Sequence, residues 1–200
     1  MASHSRPVHD LECVWLLDHS GSMGANAILQ KAIQYTKEVL ATLPSAVEHE
    51  SPGMRVSFGC VSGGTPRWLV AKGTPVSEVT FPQVPVADES TLGGMFGLAA
   101  DSVMMTDAAS RPSLQIVVLF SDGYATDDWK RGIARLRIAQ SPKDTRRLSV
   151  PLTEQYCEEV LGSFASPDAP AFSALSDPFA LVHHVASWVG ESARRQGKAI

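Results

Sequence analysis

Leu11-Glu12-Cys13-Val14-Trp15-Leu16-Leu17-Asp18-His19-Ser20-Gly21-Ser22-Met23-Gly24 decides the fold. The run 11–17 is short, mostly apolar and contains Val and Trp, the pattern of a strand buried on both faces. It ends abruptly in a loop of Asp, Ser and Gly. Beyond that loop, Ile28, Leu29, Ala32, Ile33, Thr36, Val39, Leu40 and Leu43 recur at helical spacing. They predict a helix over 25–43 with Pro44 as its stop.

The same strand–loop–helix pattern returns downstream. Residues 113–120 hold the unbroken run Ile116-Val117-Val118-Leu119-Phe120, as in a mid-sheet strand, and Ser121-Asp122-Gly123 follows at once. A helix over 127–138 comes next, with Thr126 as its expected cap and Trp129, Ile133 and Leu136 on one face. Between these blocks, 54–61 and 67–71 read as an antiparallel strand pair around the turn 62–66. Residues 72–90, rich in proline, read as a surface connection, and 92–109 as a helix. After them the expectations are a strand over 147–152, a helix over 153–162, a turn over 166–170, an edge strand over 171–175 and a terminal helix over 177–194. Strands alternating with helices predict an α/β fold: a doubly wound, mostly parallel central sheet, Rossmann-like, with helices on both faces and one antiparallel edge strand.

Composition narrows the function. Two hundred residues at 44% hydrophobic content suit one domain, drawn here as 11–196 between polar tails 1–10 and 197–200. A net charge of -4 and a pI near 5.8 argue against nucleic-acid binding and against a polybasic membrane contact. No apolar stretch nears the roughly 18 residues that span a bilayer, and no export signal is visible, so a cytoplasmic setting is expected. Cys13, Cys60 and Cys157 are odd in number and far apart, which fits neither a disulfide framework nor a C-x-x-C site.

In doubly wound sheets, ligands collect at the carboxyl ends of the strands near the switch in strand order. The two loops expected there, 18–24 and 121–129, offer carboxylates and hydroxyls. Hard oxygen donors suit Mg2+ or Mn2+ better than zinc or copper. An ordinary strand-to-helix turn would use the same Asp and Ser residues as helix caps. His183 and His184 are adjacent and so project from different sides of a helix, which rules out an i, i+4 metal pair.

Asp18-His19-Ser20-Gly21-Ser22 resembles the D-x-S-G-S metal-ion-dependent adhesion site of von Willebrand factor A domains. The resemblance implies a metal held by Ser20 and Ser22, by Asp18 directly or through water, by a second-loop hydroxyl, and by Asp122 after the fourth strand. For the second loop, family sequences often read G-T-x-L-G where this chain reads Glu89-Ser90-Thr91-Leu92-Gly93. Matching Leu92 and Gly93 puts Ser90 in the threonine position; Thr91 is the other candidate, and either hydroxyl can also cap the helix. Ala125-Thr126-Asp127-Asp128-Trp129 and Val185-Ala186-Ser187-Trp188-Val189 are similar to the bacterial tellurium-resistance type. That type implies a non-catalytic adaptor in stress-response gene sets that include kinases and phosphatases. Its partner would be a protein that offers an Asp or Glu carboxylate to the metal.

Enzyme motifs are missing. No G-x-S-x-G elbow surrounds Ser20 or Ser22, position 20 lacks the second aspartate of an aspartyl phosphatase, and there is no G-K-[ST] phosphate loop. Magnesium-assisted phosphoester hydrolysis remains as the enzyme alternative, without an evident general base. A scaffold with a non-functional metal site is the third class.

Overall fold

The computed structural model describes residues 10–20, 26–84, 87–104, 113–139, 145–174 and 177–197. Its centre is β1 (Asp10–Leu17) beside β4 (Ser113–Ser121), paired in parallel from Asp10↔Ser113 to Leu17↔Phe120. Both strands are apolar on both faces because both faces are covered. Leu11, Cys13, Trp15 and Leu17 point into one core, with Ile116, Val118 and Phe120; Val14, Leu16, Val117 and Leu119 point into the other.

The sheet has the order β3-β2-β1-β4-β5, with β2 (Arg55–Ser62) and β5 (Thr145–Pro151) parallel to their neighbours. β3 (Arg67–Pro75) runs antiparallel on the edge. This is the expected mixed sheet with one antiparallel edge strand. Helices α1 (Asn26–Glu50) and α5 (Pro178–Gly197) cover one face. The other is covered by α2 (Leu92–Met104), α3 (Trp129–Ala139) and α4 (Glu158–Phe164). The chain leaves β1 towards β2 on one side while β4 joins on the other, so strand order reverses at the carboxyl ends of β1 and β4.

Several boundaries differ from the sequence reading. Pro44 does not stop α1 but lies inside it. A mid-helix proline removes one hydrogen bond and strains a turn, yet Val47 is fully buried in the core and Ala46 packs against it, so the apolar stripe carries the helix through. The antiparallel strand runs on to Pro75, followed by a 3-10 turn at Val76–Glu78, so the connection is shorter than 72–90. Residues 171–174 form no strand, and 153–157 are not helical; α4 starts only at Glu158. Residues 105–109 of the expected second helix, and Leu175, lie outside the described residues.

The caps also differ. Asp128, not Thr126, caps α3, its Oδ1 accepting from the Arg131 amide at 3.1 Å. Asp127 does not serve its own helix: its two oxygens accept from the Gly93 and Gly94 amides, both at 2.9 Å, and so cap α2. Asp177 caps α5 through the Phe179 amide at 2.8 Å.

Half-buried His184 on α5 sets a pH dependence. Arg146 of β5 bonds the Asp168 carboxylate and carbonyl and faces His184 Nε2 at 3.4 Å, while Phe172 meets the imidazole edge-on. Burial, then the Arg146 charge, push the His184 pKa below its ordinary 6.5; Asp168 and Glu191 pull upward, and His183 adds to the lowering. A depressed folded pKa means that the unfolded chain takes up this proton first as pH falls. The contribution is therefore intact above 6.5 and is lost between 6.5 and the lower folded value. Urea unfolding across that range is expected to show a steeper loss for the wild type than for His184→Gln; equal slopes would remove His184 as the cause.

Candidate metal and partner-binding site

Asp18 follows β1 directly, and its amide bonds the Phe120 carbonyl at 2.9 Å, as though the β1–β4 ladder ran one step further. Its carboxylate is fully buried at the point where strand order reverses. Oδ1 accepts from the Ser20 amide at 3.0 Å. Oδ2 accepts from Ser90 Oγ at 3.0 Å and from Ser121 Oγ at 2.7 Å. Burial pushes the Asp18 carboxyl above the ordinary carboxylate range, and hydrogen bonds from Ser121, Ser20 and Ser90 oppose that push.

One carboxylate thus ties three loops together. Ser90 belongs to the loop before α2, and its carbonyl accepts from both the amide and the hydroxyl of Thr126, at 2.8 and 3.0 Å. Ser121 ends β4; its Oγ also accepts from the Gly123 amide at 2.8 Å, fixing the turn in which Gly123 has a φ of 80°. Asp122 is buried beside it. Its Oδ1 accepts from the Tyr124 amide at 3.1 Å, and its carbonyl accepts from the Cys157 amide at 2.7 Å, joining the loop after β5 to the same end.

The two second-loop hydroxyls have different partners. Ser90 reaches Asp18, whereas the Thr91 hydroxyl donates to the Gly64 carbonyl in the turn between β2 and β3. Ser20 sits against Asp18 and forms a bridge with Ala87. Ser22 lies outside the described residues. His19 is 5% exposed; its ring lies against Gly64, and neither nitrogen has a partner among the described residues.

Ser121 was not among the sequence candidates, although it opens the quoted loop. Its role depends on Asp18, 103 positions away, and local pattern carries no trace of that pairing. Among the described residues, no three His, Cys, Asp or Glu side chains gather into a metal cluster. The donor set near Asp18 is instead hydroxyl oxygens with Asp122, all hard donors, which suit Mg2+ or Mn2+ in kind. Both Asp18 oxygens already accept from protein groups, so its nearest role toward a metal is to orient the hydroxyls.

No protein-family model matches the sequence, and no curated protein is similar to it by sequence. Solved structures do match. Proximal thread matrix protein 1 from the mussel byssus, with a zinc-occupied MIDAS motif, has a TM-score of 0.60 at 12% identity, covering 94% of this chain and 48% of that one. This chain therefore spans about half the length of the mussel protein. Manganese-loaded TRAP protein of Plasmodium vivax gives 0.62 at 15% identity, over 92% of this chain and 74% of that one. A von Willebrand factor type A structure from Catenulispora acidiphila gives 0.55 at 14% identity, over 93% and 43%. At these identities the likeness concerns the fold, and the fold of this chain is that of the von Willebrand factor A domain.

Proposed function

We propose that this chain is a non-catalytic protein-binding module whose binding face is the carboxyl end of the sheet. The carrying observation is Asp18: one buried carboxylate holds three loops at the switch in strand order, where this kind of sheet binds its ligands. Among the described residues, nothing in that arrangement aims a general base at a substrate. Asp122 bonds its own turn, and the His19 ring faces Gly64.

Two forms of this reading differ in the metal. In the first, Mg2+ or Mn2+ sits among Ser20, Ser22, Ser90 and Asp122 and leaves a position for an Asp or Glu of the partner. The oxygen donor set supports it, as do the zinc and manganese of two structures of this fold. In the second, the loops form a metal-free scaffold. The hydrogen bonds that occupy both Asp18 oxygens, and the Thr91 hydroxyl spent on Gly64, favour this second form. The narrower likeness to the tellurium-resistance type, with a kinase or phosphatase as partner, rests on two tryptophan-bearing segments. Packing accounts for both: Trp188 is buried in one core and Trp129 packs against the other.

Affinity capture with the full chain, in magnesium and in chelator, tests the binding reading; recovery of no stoichiometric protein in either buffer would sink it. Mn2+ titration followed by electron paramagnetic resonance separates the two forms. If metal binds, Ser90→Ala is expected to weaken it about tenfold or more, the usual effect of losing a group that orients a metal site. Thr91→Ala is expected to leave it within about twofold, since this hydroxyl points elsewhere. A wild type that takes up no Mn2+ leaves the scaffold form.

A further inference from the structure

The loops at the carboxyl end of the sheet are uneven in charge. Around Asp18 and Asp122, residues 18–20, 63–66, 87–91, 122–128 and 152–157 bring Asp88, Glu89, Asp127, Asp128 and Glu154, and neither lysine nor arginine. Cations flank these loops: Arg67 begins β3, Lys130 in α3 is engaged by Glu159 at 3.0 Å and lies over the Trp129 ring, and Arg131 lines a hollow with Asp127 and Asp128. Glu154 and Glu158 are exposed beside Tyr156.

Two exposed tyrosines belong to these acidic loops. Among the described residues, the exposed large hydrophobic side chains are Tyr124, Ile138, Tyr156 and Phe179. Ile138 and Phe179 lie singly, near the end of α3 and the start of α5, and single exposed apolar groups are ordinary. Tyr124 and Tyr156 are neighbours through the backbone. The Tyr124 amide bonds the Asp122 carboxylate, and the residue after Tyr156 bonds the Asp122 carbonyl. A Cβ on Gly123, next to Tyr124, would lie 3.0 Å from the carbonyl of Cys157, next to Tyr156. Tyr124 and Tyr156 are 56% and 41% exposed.

We infer that Tyr124 and Tyr156 form the contact rim for a basic segment of a protein partner, whose Arg or Lys side chains lie across the two rings. A tyrosine face attracts a cation, and the net negative charge of these loops adds to that attraction. Tyrosine and arginine are also the residues on which interface energy tends to concentrate. The inference rests on the binding-module reading but on neither metal form.

The test uses the full chain and acetyl-capped Gly-Arg-Ala-Arg-Gly, with the same peptide carrying neutral citrulline for arginine as comparison. Ring resonances of Tyr124 and Tyr156 are followed by NMR, in chelator and in magnesium. Saturable shifts of both rings are expected, with the citrulline peptide about tenfold weaker. Tyr124→Ala/Tyr156→Ala is expected to lose about tenfold, and Tyr124→Phe/Tyr156→Phe to retain binding, since the ring face is what acts. Unmoved rings, equal affinity of the two peptides, or wild-type affinity in the double alanine variant overturns the inference. A partner captured by a chain without arginine preference sinks the rim alone; a chain that captures no partner sinks the module reading.

Discussion

Asp18→Ala is expected to destabilise the metal-free protein by about 2–4 kcal/mol, because each buried donor left without an acceptor costs about 1–3 kcal/mol. Four hydrogen bonds converge on this carboxylate, from the Ser20 amide and hydroxyl, Ser90 Oγ and Ser121 Oγ. The total stays below the sum of four penalties for two reasons. The three hydroxyls can rotate towards other acceptors, and burial already disfavours the Asp18 charge that is being removed. Asp18→Asn keeps one acceptor oxygen in nearly the same shape and is expected to lose less. Urea unfolding in chelator measures both; an unchanged midpoint for the alanine variant would mean that Asp18 does not hold the loops together.

Repeating the unfolding with magnesium decides between the two forms of the site. A ligand that binds only the folded state stabilises it by RT ln(1 + [L]/Kd). In the metal-loaded form the wild type therefore gains stability from magnesium and Asp18→Ala gains none, as the hydroxyls are no longer oriented. In the scaffold form neither responds, and capture of a partner is equal in magnesium and in chelator. Partner loss in Asp18→Ala alone, unaffected by chelator, would then report loop order and not a metal bond.

The parts of this structure legible in the sequence are those decided by burial along one segment. Residues 13–17 and 116–120 are apolar on alternate and intervening positions because β1 and β4 have helices on both sides, and that is readable without knowing the neighbours. The Asp-bearing loops that follow them were legible for the same reason, since the site in such a sheet lies where these strands end. Pro44 misled because proline's local cost is visible in sequence, whereas the buried environment of Val47 that outweighs it is not.

The long-range polar pairings were hidden altogether. Asp127 and Asp128 are adjacent acids ahead of a helix, and local reasoning gives both the same task. In the fold only Asp128 caps that helix, while Asp127 reaches back 34 positions to the Gly93 amide. Ser90 and Thr91 are likewise two neighbouring hydroxyls before a helix. What separates them is that Asp18 lies beside one and the Gly64 carbonyl beside the other, a matter of loop packing. Past Pro151 the chain has short, weakly periodic segments whose conformation is set by contacts with β5. Ser166, for example, bonds Arg147 through its amide at 2.9 Å and its hydroxyl at 3.0 Å. The edge strand expected at 171–175 carries no ladder over its described residues, 171–174.

Gly132→Ala and Gly162→Ala are expected to change stability in opposite directions, though both put alanine into a helix. Alanine is intrinsically favoured over glycine there by about 1 kcal/mol. Gly162 in α4 is exposed, and an added Cβ meets nothing within 4 Å, so that preference should appear as a gain of up to about 1 kcal/mol. Gly132 in α3 is buried against α2, where an added Cβ would stand 2.4 Å from the Gly93 carbonyl oxygen and 2.6 Å from its Cα. Those are backbone atoms and cannot rotate aside, so the two helices must separate, at an overpacking cost of about 3 kcal/mol that leaves a net loss near 2 kcal/mol. The separation also pulls on the Asp127 bonds to Gly93 and Gly94, and through Thr126 on Ser90, the residue that meets Asp18. Gly132→Ala should therefore weaken partner capture as well as stability, while Gly162→Ala leaves capture unchanged. Urea midpoints that shift in the same direction for both variants would mean that helix propensity, and not the close α2–α3 crossing, governs position 132.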